Sequence, residues 1–208
     1  MTTTPAAPQP GSDAFVARLP IGESLPIPDD SLVTWDIFPL EGEMRVKPLQ
    51  APVLPEPPRN GEDGPEGCDV CDEPLEDALW ADEHWRVDAA TDPSGLPALV
   101  QLKPRGHYDL SDLPPERAAE IGPMLQRVER AIMSLGGIAR VHINKWGDGG
   151  AHLHFWLLGR PAGMMQLRGT VLSIWDDLLP HVPDGERHLA NRRIAAALAT
   201  DGGKAYAL

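Results

Sequence analysis

The 208-residue chain contains no run of eighteen apolar residues, the length a helix needs to cross a bilayer. Its opening, MTTTPAAPQPGSD, has neither the basic n-region nor the apolar h-region of a secretory leader. A soluble, cytoplasmic protein with no membrane partner is therefore expected. A concentrated basic stripe is also missing, and without one a phosphate backbone finds no purchase. Nucleic acid is not an expected partner. Cysteine is scarce: there are two, Cys68 and Cys71, placed together as CDVC. That spacing makes no disulfide framework and leaves metal binding or redox chemistry.

What charge there is lies unevenly. The net charge is -13, which alone would repel phosphates. Residues 1–92 carry 5 basic and 20 acidic side chains, net -15, whereas residues 93–208 carry 13 and 11, net +2. The second part is thus close to neutral.

Of 23 prolines, 12 fall in the first 60 positions, and the stretch LPEPPRNGEDGPEG that closes this region is too rich in proline, glycine and acid for regular structure. It reads as a linker. Residues 1–66 are expected to be a proline-rich acidic extension. Trp35, Ile37, Phe38, Leu40, Met44 and Val46 are too many large apolar groups for a solvated tail, so part of it is expected to pack on the domain that follows.

From Cys68 onward the pattern is regular. ALWAD (78–82), WRVDAA (85–90) and LPALVQLKP (96–104) read as strands. A helix follows: Pro114 and Pro115 suit its first turn, Ile121, Leu125, Val128, Ile132 and Leu135 form one apolar stripe, and Gly136 and Gly137 end it. Pro123 inside it predicts a kink or a later start. IARVHINKW (138–146) and HLHFWLLG (152–159) read as strands of a hairpin turned by GDGGA. VLSIWDDLL (171–179) and RHLANRRIAAALA (187–199) read as amphipathic helices. The expected fold class is α+β: a mainly antiparallel sheet with one long helix packed on it and C-terminal helices.

The histidine-bearing stretch predicts its own chemistry. As a strand it sends Leu153, Phe155 and Leu157 to one face and His152, His154 and Trp156 to the other. A CxxC pair supplies half of a tetrahedral zinc site, which needs two further nitrogen or sulfur ligands. His107, in KPRGH, and His152 are the choices; four protein ligands leave no open position, so the zinc is structural. His84 and His142 are rival ligands, and a redox pair or two incidental thiols remain the alternative for the cysteines. His181 and His188 read as surface residues.

Four motifs in order, C-x-x-C, KPRGH followed by a DLPPE helix start, IN-x-x-GDGG, and HLHFWLLGRP, resemble the histidine triad (HIT) superfamily of nucleotide hydrolases and transferases. The similarity runs from Cys68 to about Pro161. It implies a HIT-like nucleotide-binding domain over 67–165 and a C-terminal helical extension over 166–208, and it allows for a homodimer. It also implies that Cys68, Cys71, His107 and His152 hold zinc, that His154 is the nucleophile, and that Asn144 helps to hold the nucleotide.

Two features depart from the pattern. Trp156 stands where the third histidine of many relatives lies; the galactose-1-phosphate uridylyltransferase branch has glutamine there. An indole accepts no proton and offers one N–H, so Trp156 is expected to line the cleft. The loop before the histidines is short and lacks a glutamine-containing insert, so the N–H groups of Gly149 and Gly150 are expected to meet phosphate. Lys145, Arg160 and Arg168 are candidate counter-charges, and the residues around Trp80, Val87 and Leu99 would flank the base.

The implied function is a nucleotide hydrolase or nucleotidyltransferase acting at the α-phosphate of a nucleoside phosphate derivative through a nucleotidyl-histidine. A weakened nucleotide-binding module stabilised by zinc is the alternative. A third reading makes the acidic extension an interaction segment.

Overall fold

A computed structural model describes residues 16–207; residues 1–15 of the expected extension lie outside them. The chain divides after Pro57 into two compact units. In the first, residues 16–57 are mostly irregular, with a helical turn at Leu32–Thr34, a parallel bridge between Ile21 and Leu49, and no buried residue.

The second unit is built on a six-stranded antiparallel sheet of order β4-β5-β3-β2-β1-β6. Its strands are β1 (Trp80–Ala81), β2 (Trp85–Ala89), β3 (Leu99–Pro104), β4 (Ile138–Asn144), β5 (Phe155–Pro161) and β6 (Lys204–Ala205). The helices are α1 (Asp69–Asp72), α2 (Pro115–Met133), α3 (Leu172–Leu178) and α4 (Asp184–Ala199). The α+β class, the antiparallel sheet and the long helix are as the sequence predicts.

Alternation in the strands sorts the two faces. Trp85 and Val87 of β2, Val100 and Leu102 of β3, and Phe155 and Leu157 of β5 join Val128 and Ile132 of α2 and Ile194 and Leu198 of α4 in the main core. Leu158 and Trp156, on the other face of β5, pack with Leu96, Leu167 and Leu172 in a smaller cluster. Helix α2 runs unbroken through Pro123. That residue is exposed, so the carbonyl left without a donor one turn earlier can turn to water.

Three features differ from expectation. The histidines are not in the ladder: β5 starts at Phe155, and the stretch before it bonds elsewhere, Ala151 N to Asn60 O at 2.9 Å and Leu153 N to Tyr108 O at 2.6 Å. Trp80 and Val87 are fully buried in the main core, so they cannot flank a base. Strand β6 has no periodicity to announce it in two residues. It is seated by contact: Gly202 O accepts from Trp80 Nε1 at 2.9 Å, and Gly203, at φ +74°, lies so close to the Trp80 indole that a Cβ would stand 2.4 Å from it. Because Trp80 has no room to move, Gly203→Ala is expected to cost about 2–3 kcal/mol. Gly163→Ala, at φ +80° with open space around it, should cost less; equal melting temperatures for the two variants would contradict the docking.

Candidate functional site

One helical turn, with Cys71 N bonded to Cys68 O at 2.9 Å, brings the two thiols to one end of the sheet. Cys68 is buried and Cys71 exposed, and they form no disulfide. Beyond Glu73 the knuckle is fastened to the sheet. Arg86 reaches the Glu73 carboxylate at 3.1 Å while also binding buried Asp88 at 2.8 Å, which Lys103 meets at 3.0 Å.

Across from the thiols stand His107, just past β3, and buried His152. One donor atom from each of Cys68, Cys71, His107 and His152 lies within 4.8 Å of the others, a cluster that can hold a metal ion. Nδ1 of His152 is 3.6 Å from Cys68 Sγ and 3.5 Å from Cys71 Sγ, and Nδ1 of His107 is 3.4 Å from Cys71 Sγ. Each ring points its other nitrogen at a carbonyl: His152 Nε2 at Pro104 O, 2.9 Å, and His107 Nε2 at Gly61 O, 3.1 Å. A carbonyl only accepts, so in its neutral form each ring carries the proton on Nε2 and turns the Nδ1 lone pair inward. Burial lowers the His152 pKa, keeping that ring neutral. Burial, and then the Cys68 thiol beside it, push Cys71 up to about 11.

Sequence reasoning missed the residues that tie this cluster to the glycine loop. Asn60 N donates to Gly149 O at 3.1 Å, and Asn60 O accepts from Ala151 N. Its side chain bonds Gly67 O at 3.1 Å and the N–H of Asp69 at 3.0 Å. Gly61, at φ +71°, supplies the carbonyl for His107 and leaves no room for a Cβ, which would stand 2.9 Å from both Cys68 Cβ and His107 Cε1. Arg59 binds Asp109 at 2.7 Å, Gly147 O at 3.0 Å and Glu62. The only signal was Asn-Gly in a stretch that read as linker.

Asn60→Ala removes the two side-chain bonds, worth about 1–2 kcal/mol together. It should also speed hydrogen exchange at Ala151. Unchanged protection there would show that Asn60 does not fasten the loop.

His154 lies two residues after the cluster's His152 and is half-buried. Its Nδ1 is 2.8 Å from His152 O, so in the neutral ring Nδ1 carries the proton and Nε2 the lone pair. Within this unit Nε2 has no hydrogen-bond partner. Gly150 lies against the ring: a Cβ there would be 3.9 Å from His154 Cε1. The carbonyl of Gly149 is spent on Asn60, while the N–H groups of Gly149 and Gly150 have no partner within the unit. Trp156 meets His154 edge to face, centroids 6.2 Å apart, and Trp146 at 6.3 Å. Asn144 stands directly opposite Trp156 in the ladder and so shares its face.

Not every expected residue joins this group. Lys145 pairs with Asp109 at 3.3 Å. Burial alone would raise the Asp109 carboxyl, but hydrogen bonds from Arg59, the Leu110 N–H and Lys145 outweigh it and hold Asp109 below the usual carboxylate range. Lys145 is thereby committed as a brace. His84 and His142 are absent from the metal cluster, and His181 and His188 are exposed.

No protein-family model and no curated protein matches the chain. Solved structures do. A zinc-bound histidine triad family protein from Mycobacterium smegmatis aligns with 66% of this chain and 96% of its own at 24% identity and TM-score 0.49. The chain is similar to histidine triad proteins. A histidine triad protein from Marinobacter aquaeolei VT8 aligns at 19% identity over 59% of this chain and 88% of that one, TM-score 0.47. A uridylyltransferase aligns at 20% identity over 64% and 44%, TM-score 0.47. No helix among the described residues is long and apolar enough to cross a membrane.

Proposed function

We propose that the protein is a nucleotide hydrolase or nucleotidyltransferase in which His154 attacks the α-phosphorus of a nucleoside phosphate derivative. The observation that carries this reading is the His154 ring, oriented by one carbonyl and presenting an unpartnered nitrogen, with Gly150 against the ring in a loop whose Gly149 and Gly150 N–H groups have no partner among the described residues. Nε2 forms the N–P bond as the bond from phosphorus to the leaving group, P–O in a polyphosphate or P–N in a phosphoramidate, breaks with its electron pair going to the leaving group. Nδ1 keeps its proton, stabilised by His152 O as the ring becomes cationic. The N–H groups of Gly149 and Gly150 face the negative charge that builds on the phosphoryl oxygens. Water or a phosphate acceptor then releases the nucleotide from the histidine.

Zinc suits the four-donor cluster. Tetrahedral zinc with thiolate ligands at about 2.3 Å and imidazole ligands at about 2.0–2.1 Å separates its ligand atoms by about 3.3–3.8 Å; the contacts above, 3.4–3.6 Å, fall in that range. Cys68, Cys71, His107 and His152 would hold the ion. With four protein ligands its contribution is structural.

Trp156 supports the second reading, a nucleotide-binding module with little turnover, because an indole N–H is too weak an acid to protonate a leaving group. Incubation with α-labelled dinucleoside polyphosphate or nucleoside phosphoramidate, quenched in base, separates the two. Base-stable label on the wild type and none on His154→Ala is the expected result. Label that persists in the variant rejects His154 as nucleophile, and binding without label or product favours the module.

A further inference from the structure

Two arginines face each other where the ladder predicts repulsion. Arg140 of β4 is the direct partner of Arg160 of β5, and like charges so placed are destabilising. In this unit Arg105 and Arg127 bond only carbonyl oxygens, while Arg59, Arg86, Arg117 and Arg187 each bind a carboxylate. Arg140 and Arg160 do not: Arg140 bonds its neighbour's carbonyl, Ala139 O, at 2.5 Å, and Arg160 bonds Met164 O at 3.2 Å and Pro161 O at 3.4 Å.

Arg160 is only 7% exposed, so its charge is largely removed from water without an anion to balance it. Arg168 grips the next carbonyl of the same turn, Met165 O, at 2.7 Å, and again no carboxylate meets it within the unit. His142, two residues from Arg140 on the same face of β4, is half-buried and has no hydrogen-bond partner within the unit. Burial, and then the nearby Arg160 charge, hold its pKa below the ordinary histidine value. In a protein with 31 acidic and 18 basic side chains, three guanidinium groups and an imidazole at one corner thus have no carboxylate in ion-pair contact.

We propose that Arg140, Arg160, Arg168 and His142 form a second phosphate-binding site, for inorganic phosphate or the phosphate of a phosphomonoester. Guanidinium groups match phosphate oxygens in forked pairs, and a neutral imidazole adds one N–H. The site is not part of the reacting centre. Arg160 lies six residues along the chain from His154, about 20 Å at strand spacing, beyond the reach of a phosphate being attacked there.

The test is calorimetric titration of the full chain with inorganic phosphate and, separately, ribose 5-phosphate, at ionic strength fixed with chloride. Arg140→Gln and Arg168→Gln alter exposed side chains and should leave the fold intact. Each should weaken binding of the preferred probe tenfold or more, while His154→Ala leaves it unchanged. Tighter binding of ribose 5-phosphate supports a phosphomonoester ligand; tighter binding of phosphate supports the free anion. The inference is overturned if neither probe binds above the chloride background, or if neither arginine variant changes affinity. Loss in His154→Ala alone would also overturn it, placing the phosphate at the reacting centre and leaving the catalytic proposal standing.

Discussion

His154→Ala should lower turnover by at least about 10³-fold, because no other imidazole among the described residues stands beside the glycine loop with a free nitrogen, and a nucleophile's loss is not made up by its neighbours. Stability should change by only about 1 kcal/mol, since the ring is half-buried and makes one hydrogen bond. His152→Ala makes the opposite pattern diagnostic. That ring is 2% exposed and belongs to the metal cluster, so its loss should remove bound metal and lower the melting temperature along with activity. Steady-state kinetics and melting curves on the two variants therefore distinguish a reacting histidine from a ligating one. A fall in activity of less than tenfold for His154→Ala would end the nucleophile assignment.

The second large effect is loss of the metal. Wild-type protein should contain about one zinc per chain, and Cys68→Ser should contain none. Structural zinc in small peptides is worth roughly 10–16 kcal/mol in apparent binding free energy. This unit keeps a core of its own beneath α2 and α4, so the expected loss is smaller, at least about 4 kcal/mol. At about 2–4 °C per kcal/mol for a domain of this size, the melting temperature should fall by about 10 °C or more. Chelator should reproduce the shift in the wild type and add nothing in Cys68→Ser. Metal-free wild-type protein with freely titrating thiols would restore the redox reading of the pair.

Much of this was legible in the sequence because the elements that carry it are periodic or chemically unambiguous. The stripe from Ile121 to Leu135 announced α2, and alternation announced Leu153, Phe155 and Leu157 as core. CxxC spacing asked for two partners, and His107 and His152 are the residues that meet it. What stayed hidden depends on contacts between distant segments. Arg59, Asn60 and Gly61 looked like part of a proline-rich linker because a single residue that bonds two loops leaves no pattern. The two-residue strand β6 exists through Gly203 against Trp80, which is a matter of shape. Lys145 read as a free cation until the fold set Asp109 beside it. Arg140 became informative only when the register placed it across from Arg160.

His152 contributes two different parts of itself: its imidazole faces the thiols, and its peptide oxygen aligns the next histidine, His154. The second contribution belongs to the main chain, where every amino acid carries the same atom. Side-chain replacement at position 152 can perturb that oxygen only indirectly, by shifting the backbone. Over evolutionary time the alignment of His154 could therefore outlast the ligand, and a descendant that had discarded the metal could retain the reactive ring, provided its loop kept the same path.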